Sequence, residues 1–405
     1  MKVLWRSPTL RTVAIYTASG FGFVGANLVL ARVLPTVEYG LFTLVVALVN
    51  VGFSLATLGL DGVVNRRQLD AGPELLRRAV GAALVVGFAL AVISATAYRL
   101  APPMVLGVFV STVAGGAMMV AGAKFQSDQR FALSLALTQS PNLVLLLAAL
   151  IVVLSPGSGA WLPVSIMALG FVIAAMTGWR QLLREHGGRS PTGRFSWSEA
   201  LSFAGLNAAG LVLLQLDRLL IPHVLTVQDL ATYGVLAAIA GSLYRVLSMG
   251  VGYSLVPRLR AAEGVLERRH LIAHEAKLVG GVLIGGSALM WFVTPLVERW
   301  LLAGKYHLAG ALVLAVVVVG TIKVVNSFTK AFVSALATPR ELALVNLFGW
   351  CSVALAVLAA VIGARWGLVG VIYGVGLGWL LRALTALFVA LRHLKLPASM
   401  PVTVA

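Results

Sequence analysis

"LARVLPTVEYGLF", residues 30–42, and "LDRLLIPHVLTVQDLATYGVL", residues 216–236, carry one pattern twice. Each reads Leu-x-Arg at the end of an apolar run, then a short connection, then Tyr-Gly at the head of the next run. A basic residue closes that next run in both copies, Arg66 in the first and Arg258 in the second. If each half of the chain holds an even number of membrane crossings, both copies enter the bilayer in the same direction. The halves are then related by an axis along the membrane normal, as in many transporters.

Counting the runs supports this. A helix needs about 20 predominantly apolar residues to span a bilayer. By that measure twelve spans are predicted, near 10–32, 39–60, 79–98, 103–123, 131–154, 161–183, 198–221, 233–256, 277–297, 309–331, 341–362 and 368–391. The connection around Gly187–Gly193 is rich in Ser, Pro and Gly and divides them six and six, giving an N-lobe over 1–190 and a C-lobe over 191–405. The expected fold class is therefore all-α and polytopic, with two six-helix lobes related by a parallel pseudo-repeat.

Composition excludes the soluble classes. The mean hydropathy is +0.96 and only 11% of residues are charged, more apolar surface than one soluble core can hold. A net charge of +17 could suggest nucleic acid. However, the bases stand at the ends of apolar runs rather than on polar surface, which is the distribution that orients membrane proteins. With the N-terminus inside, 22 of the 31 Lys and Arg residues fall on cytoplasmic segments. Five fall on outer ones (Arg32, Arg99, Arg299, Lys305, Arg365) and four within spans (Arg218, Arg245, Lys323, Arg382). Both termini are expected in the cytoplasm, with the chain in the inner (cytoplasmic) membrane. The opening "MKVLWRSPTLR" leads into a run long enough to span and without a convincing cleavage site, so it reads as an uncleaved first helix. The single cysteine, Cys351, provides neither a disulfide framework nor a Cys-based metal site, and no cofactor is expected.

The stretches 30–60, 213–259, 337–350 ("ATPRELALVNLFGW") and 363–380 ("GARWGLVGVIYGVGLGWL") resemble the Wzx-type polysaccharide-biosynthesis flippases of the multidrug/oligosaccharidyl-lipid/polysaccharide (MOP) superfamily. The likeness runs over nearly the whole chain in the expected order. It implies two six-helix lobes around a central cavity. It also implies alternating access that carries an undecaprenyl-pyrophosphate-linked oligosaccharide across the membrane for polysaccharide or O-antigen synthesis. Glycan polymerases and glycosyltransferases of the same pathway would be the protein partners. Twelve spans rather than fourteen argue against the lipid II flippase branch.

The residues themselves point to an anionic passenger. Helical spacing gathers polar groups into stripes. These are Thr12, Tyr16, Ser19 and Asn27 on span one; Asn50, Ser54, Thr57 and Asp61 on span two; Asn207, Gln215 and Arg218 on span seven. Span eight adds Ser242, Arg245 and Ser248, span ten Lys323, Asn326, Ser327 and Lys330, and span twelve Arg382 and Thr385. Hydroxyls and amides often only join helices. Charges cannot be explained that way, because the four buried bases face one clearly intramembrane acid, Asp217. A mid-bilayer base costs at least about 2.5–3.5 kcal/mol, so the excess calls for a counter-charge. Pyrophosphate supplies it, bound bidentately by guanidinium and as a point charge by ammonium.

Arg245, inside "AGSLYRVLSMG" (240–250), is the first candidate ligand, with Lys323, Arg382 and Arg218 beside it and Asn50, Asn207 and Asn326 for the glycan. Asp217 either pairs with a neighbouring base or titrates to couple transport to an ion, and Asp61 is the other acid in position to do so. Gly281/Gly285, Gly363/Gly367 and Gly370/Gly374/Gly378 match the small-xxx-small spacing of close helix contacts, and Pro141 is a possible bend. The basic stretch 258–270 reads as an inner loop held by anionic membrane lipids. An enzyme acting on the same lipid would need placed carboxylates or a metal, and neither pattern is present. An exporter of cationic drugs would favour buried acids over buried bases.

Overall fold

The computed structural model describes residues 8–155, 157–186, 195–262 and 264–395. These form thirteen α-helices and no strand. In chain order they are α1 (Pro8–Val33), α2 (Thr36–Leu55), α3 (Leu60–Arg67), α4 (Pro73–Thr96), α5 (Pro102–Ser127), α6 (Phe131–Leu154) and α7 (Trp161–His186). They continue with α8 (Trp197–Val224), α9 (Val227–Ala261), α10 (Val265–Leu296), α11 (Gly310–Leu336), α12 (Pro339–Gly363) and α13 (Gly367–Lys395). All but α3 are long. Among the described residues nine segments are long and apolar enough to cross a membrane, the last of them, 340–393, containing both α12 and α13. The protein is thus an all-α, multi-pass membrane protein.

Local chemistry explains the helix ends. Proline opens α4, α5 and α12, where the missing amide costs no intrahelical bond. Thr338 and Glu341 close a capping box at the start of α12. Within α6, Pro141 leaves the Leu137 carbonyl without its usual amide, and the Ser140 hydroxyl donates to that oxygen at 2.8 Å.

Span two is not one helix. It stops at Leu55, turns through Leu58 (φ 44°) and Gly59 (φ 80°), and resumes as α3. Only glycine takes this left-handed conformation without strain. The turn is also crowded: a Cβ at Gly59 would stand 1.9 Å from the Ala200 carbonyl oxygen of α8. Arg67 Nε then pairs with Glu199 at 2.7 Å, fastening α3 to the start of α8.

Two compact units are present, residues 1–235 and 236–405. The division falls inside α9, and α8 packs on α2 and α3 within the first unit. In the first unit α5 is the central helix, touching α2, α3, α4, α6 and α7. In the second, α13 packs along both α11 and α12. The α12–α13 contact is glycine-lined: a Cβ at Gly374 would fall 2.4 Å from the Ala360 nitrogen, and one at Gly378 would fall 2.5 Å from the Ala356 Cβ. By contrast, Gly281 and Gly285 face open space. The small-xxx-small spacing therefore marks a helix contact in one of these places and not in the other.

Candidate functional site

In the second unit, α11 and α13 run parallel. Val319 faces Gly376, whose added Cβ would lie 2.6 Å from a Val319 methyl. One turn on, the Lys323 ammonium stands 5.6 Å from the centre of the Trp379 ring. Further along, Val333 packs with Ala386 and Val389. This register brings the polar stripe of α11 opposite the face of α13 that carries Trp379 and Arg382, near the middle of both helices.

Arg382 is 9% exposed, and its Nη1 has no hydrogen-bond acceptor among the described residues. Lys330 reaches in from an exposed position, close enough for its charge to oppose that of Arg382. No salt bridge of either residue occurs among the described residues. Trp379 Nε1, also buried, has no acceptor either. Buried donors are nearly always satisfied, and these two lie three residues apart on one helix. Lys323 is half-buried and has the indole face as a cation–π partner. Asn326 is buried beside them. Two hydroxyls of the predicted stripes are satisfied within their own helices, Ser327 on the Lys323 carbonyl and Thr385 on the Leu381 carbonyl.

A second polar cluster lies in the first unit, where the two copies of the repeated sequence meet. Asp217 and Arg218 of α8 are both buried. The Asp217 carboxylate accepts from the Tyr233 hydroxyl of α9 and, at 3.0 Å, from the Arg218 backbone amide. The Arg218 guanidinium donates to Gln215 Oε1 at 3.3 Å, and its charge acts on the hydroxyls of Tyr39 and Tyr233. Glycines make the junction possible. A Cβ at Gly40 would lie 2.3 Å from the Val227 carbonyl oxygen, and one at Gly234 would lie 2.6 Å from the Thr43 hydroxyl. Gly40 of the first repeat thus packs against Val227, and Gly234 of the second against Thr43 and Tyr39.

The remaining predicted residues are scattered. Asn207 is exposed and bonds the Phe203 carbonyl of its own helix at 3.3 Å. Asn50 is half-buried, and its carbonyl accepts from Ser54. Asp61 is half-buried in the first turn of α3. It follows the break, so it does not continue the stripe of Asn50 and Ser54 along one helix. Arg245 is on α9, but its side chain, like those of Thr12, Tyr16, Ser242 and Ser248, lies outside the described residues.

Three features escaped sequence reasoning. Trp379 counted only as an apolar residue, although its spacing from Arg382 was available as a signal. The Tyr-Gly motif does not reveal that the Tyr233 hydroxyl donates to Asp217. Ser19 of α1 joins Gln139 and Asn142 of α6 in a triad, with Ser19 donating to Gln139 at 2.9 Å and Asn142 donating to Ser19 at 2.8 Å. Nothing in the sequence relates these helices.

No protein-family model matches the chain, and no curated protein matches its sequence. Solved structures do. An inward-facing multidrug-resistance MATE family transporter of the MOP superfamily superposes with a TM-score of 0.63 at 11% identity, over 96% of this chain and 98% of that one. The lipid II flippase MurJ, in an inward closed conformation, gives 0.62 at 11% identity, over 93% and 86%. A eukaryotic MATE transporter gives 0.60 at 10% identity, over 94% and 96%. The chain therefore has the fold shared by MATE transporters and MurJ.

Proposed function

We propose that this protein is a flippase of the MOP type that carries an undecaprenyl-pyrophosphate-linked oligosaccharide across the cytoplasmic membrane for polysaccharide or O-antigen synthesis. Alternating access would operate between the repeat halves 1–190 and 191–405, with both termini cytoplasmic. The similar structures include multidrug-resistance MATE transporters and a lipid II flippase, and the fold is common to both. What favours the lipid-linked cargo is one observation: among the described residues Arg382 is buried with an unsatisfied donor and no salt bridge, and the cation near enough to act on it is Lys330. A cationic drug is repelled by such a site, whereas a pyrophosphate compensates both charges.

In this proposal Arg382 and Lys323 hold the pyrophosphate, Arg245 of α9 and Arg218 contribute further positive charge, and Asn50, Asn207 and Asn326 meet glycan hydroxyls. Asp217, engaged by two donors, anchors α9 to α8, which leaves Asp61 as the acid for ion coupling. Anionic membrane lipids hold the basic stretch 258–270, and glycosyltransferases and a polymerase of the same pathway supply and consume the cargo. The protein works as a carrier and not as an enzyme.

The test is reconstitution. Proteoliposomes loaded with a defined undecaprenyl-pyrophosphate-linked glycan should expose it to an external glycan-modifying enzyme only when the protein is present. Equal exposure in protein-free liposomes, or none in either, contradicts the proposal.

A further inference from the structure

The geometry points to Trp379 as a phosphate ligand: we infer that its indole N–H and Arg382 Nη1 together form an anion pocket contained within the second unit, closed on the α11 side by Lys330 and Lys323. This deepens the flippase proposal by naming the chemical group the pocket reads, a phosphate or pyrophosphate ester, and the donors that read it.

Two observations converge. Trp379 Nε1 and Arg382 Nη1 are buried N–H donors without acceptors, three residues apart on one face of α13. An indole N–H can only donate, and so can a guanidinium, so the missing partner must be an acceptor. Water could satisfy the indole but not the charge of Arg382, with a second cation, Lys330, opposing it nearby. A tetrahedral oxyanion meets all of these demands, because it accepts from several directions and carries compensating charge.

The ring of Trp379 has a second role. Its face holds the Lys323 ammonium at 5.6 Å while its edge presents the N–H, so one side chain positions a base and donates a bond. Register fixes the arrangement. The close approach at Gly376 and Val319 sets the spacing of α11 and α13 one turn before the pocket, and Val333 with Ala386 and Val389 sets it beyond. Trp379, Arg382, Lys323 and Lys330 all belong to 236–405.

The probe is farnesyl pyrophosphate, titrated into the purified full-length protein in detergent, with farnesol and inorganic pyrophosphate as parallel ligands. Farnesyl pyrophosphate should bind, farnesol should bind far more weakly, and inorganic pyrophosphate should compete. Trp379→Phe keeps the ring under Lys323 and removes only the N–H. It should weaken pyrophosphate binding about tenfold while leaving the thermal midpoint unchanged. Arg382→Gln should weaken it by more, with Arg382→Lys partly restoring it, and Ser19→Ala, in the first unit, should leave it at the wild-type value. Wild-type affinity in Trp379→Phe, or equal binding of farnesol, overturns the inference. If the wild type flips the lipid-linked glycan yet Trp379→Phe binds normally, the pocket is wrong and the flippase proposal stands. If Trp379→Phe loses binding but no glycan lipid is flipped, the pocket stands and the flippase proposal fails.

Discussion

Removing the Tyr233 hydroxyl distinguishes an anchoring Asp217 from a titrating one. In the structure the Asp217 carboxylate is 4% exposed and accepts from Tyr233 and from the Arg218 amide. Tyr233→Phe removes a hydroxyl that donates to a buried carboxylate, at a cost of about 1.5–3 kcal/mol for a bond to a charged group. For a cooperative unit the size of residues 1–235, this lowers the thermal midpoint by about 3–6 °C. Asp217→Asn should cost a similar amount, because it weakens the same bond and removes negative charge beside Arg218. The two changes share a partner, so the double variant should fall short of their sum by about 1 kcal/mol or more. The assay is thermal unfolding in detergent for the four proteins, followed by flipping per folded molecule across a pH series. An anchor gives lowered midpoints, a non-additive cycle and an unchanged pH profile. An additive cycle, or a normal midpoint with a flattened pH profile in Asp217→Asn, refutes the anchoring role.

Further outcomes follow from packing. Gly374→Ala places a methyl group about 2.4–2.6 Å from backbone atoms of Ala359 and Ala360, so its melting temperature should fall by the equivalent of about 1–3 kcal/mol. Gly285→Ala meets nothing and should stabilise by about 0.8–1 kcal/mol through helix propensity. Gly59→Ala combines a φ of 80° with a methyl group 1.9 Å from the Ala200 carbonyl oxygen, and should reduce the yield of folded protein more than either. Ser19→Ala removes the hydroxyl that bridges Gln139 and Asn142 and should cost about 1 kcal/mol, measured the same way.

The helices were legible because a bilayer demands long apolar runs, and those runs are written in the composition. The break at 56–59 was not legible: Leu58 and Gly59 sit in an apolar stretch, and the turn exists because α8 approaches too closely for a continuous helix. The grouping of α8 with α2 was equally hidden, since hydropathy tells how deep a helix lies and not which neighbour it faces. In the candidate site the bases were visible as charges out of place. The register of α11 and α13 sets Lys323 against Trp379, which is three residues before Arg382 on α13. Trp379 was invisible because its ring is apolar and only its placement makes the N–H matter. The amide and hydroxyl stripes overstated the site, because Ser54, Ser327 and Thr385 bond carbonyls of their own helices.

The central claim is that uncompensated bases within the membrane helices receive a phosphate. Its most direct test compares, in the same proteoliposomes, transport of a glycan joined to its polyprenyl tail through pyrophosphate with transport of the same glycan joined to the same tail through a neutral ether. The pyrophosphate-linked lipid should be flipped and the neutral one left behind, with Arg382→Gln abolishing the difference. Equal transport of both lipids by the wild type would contradict the account.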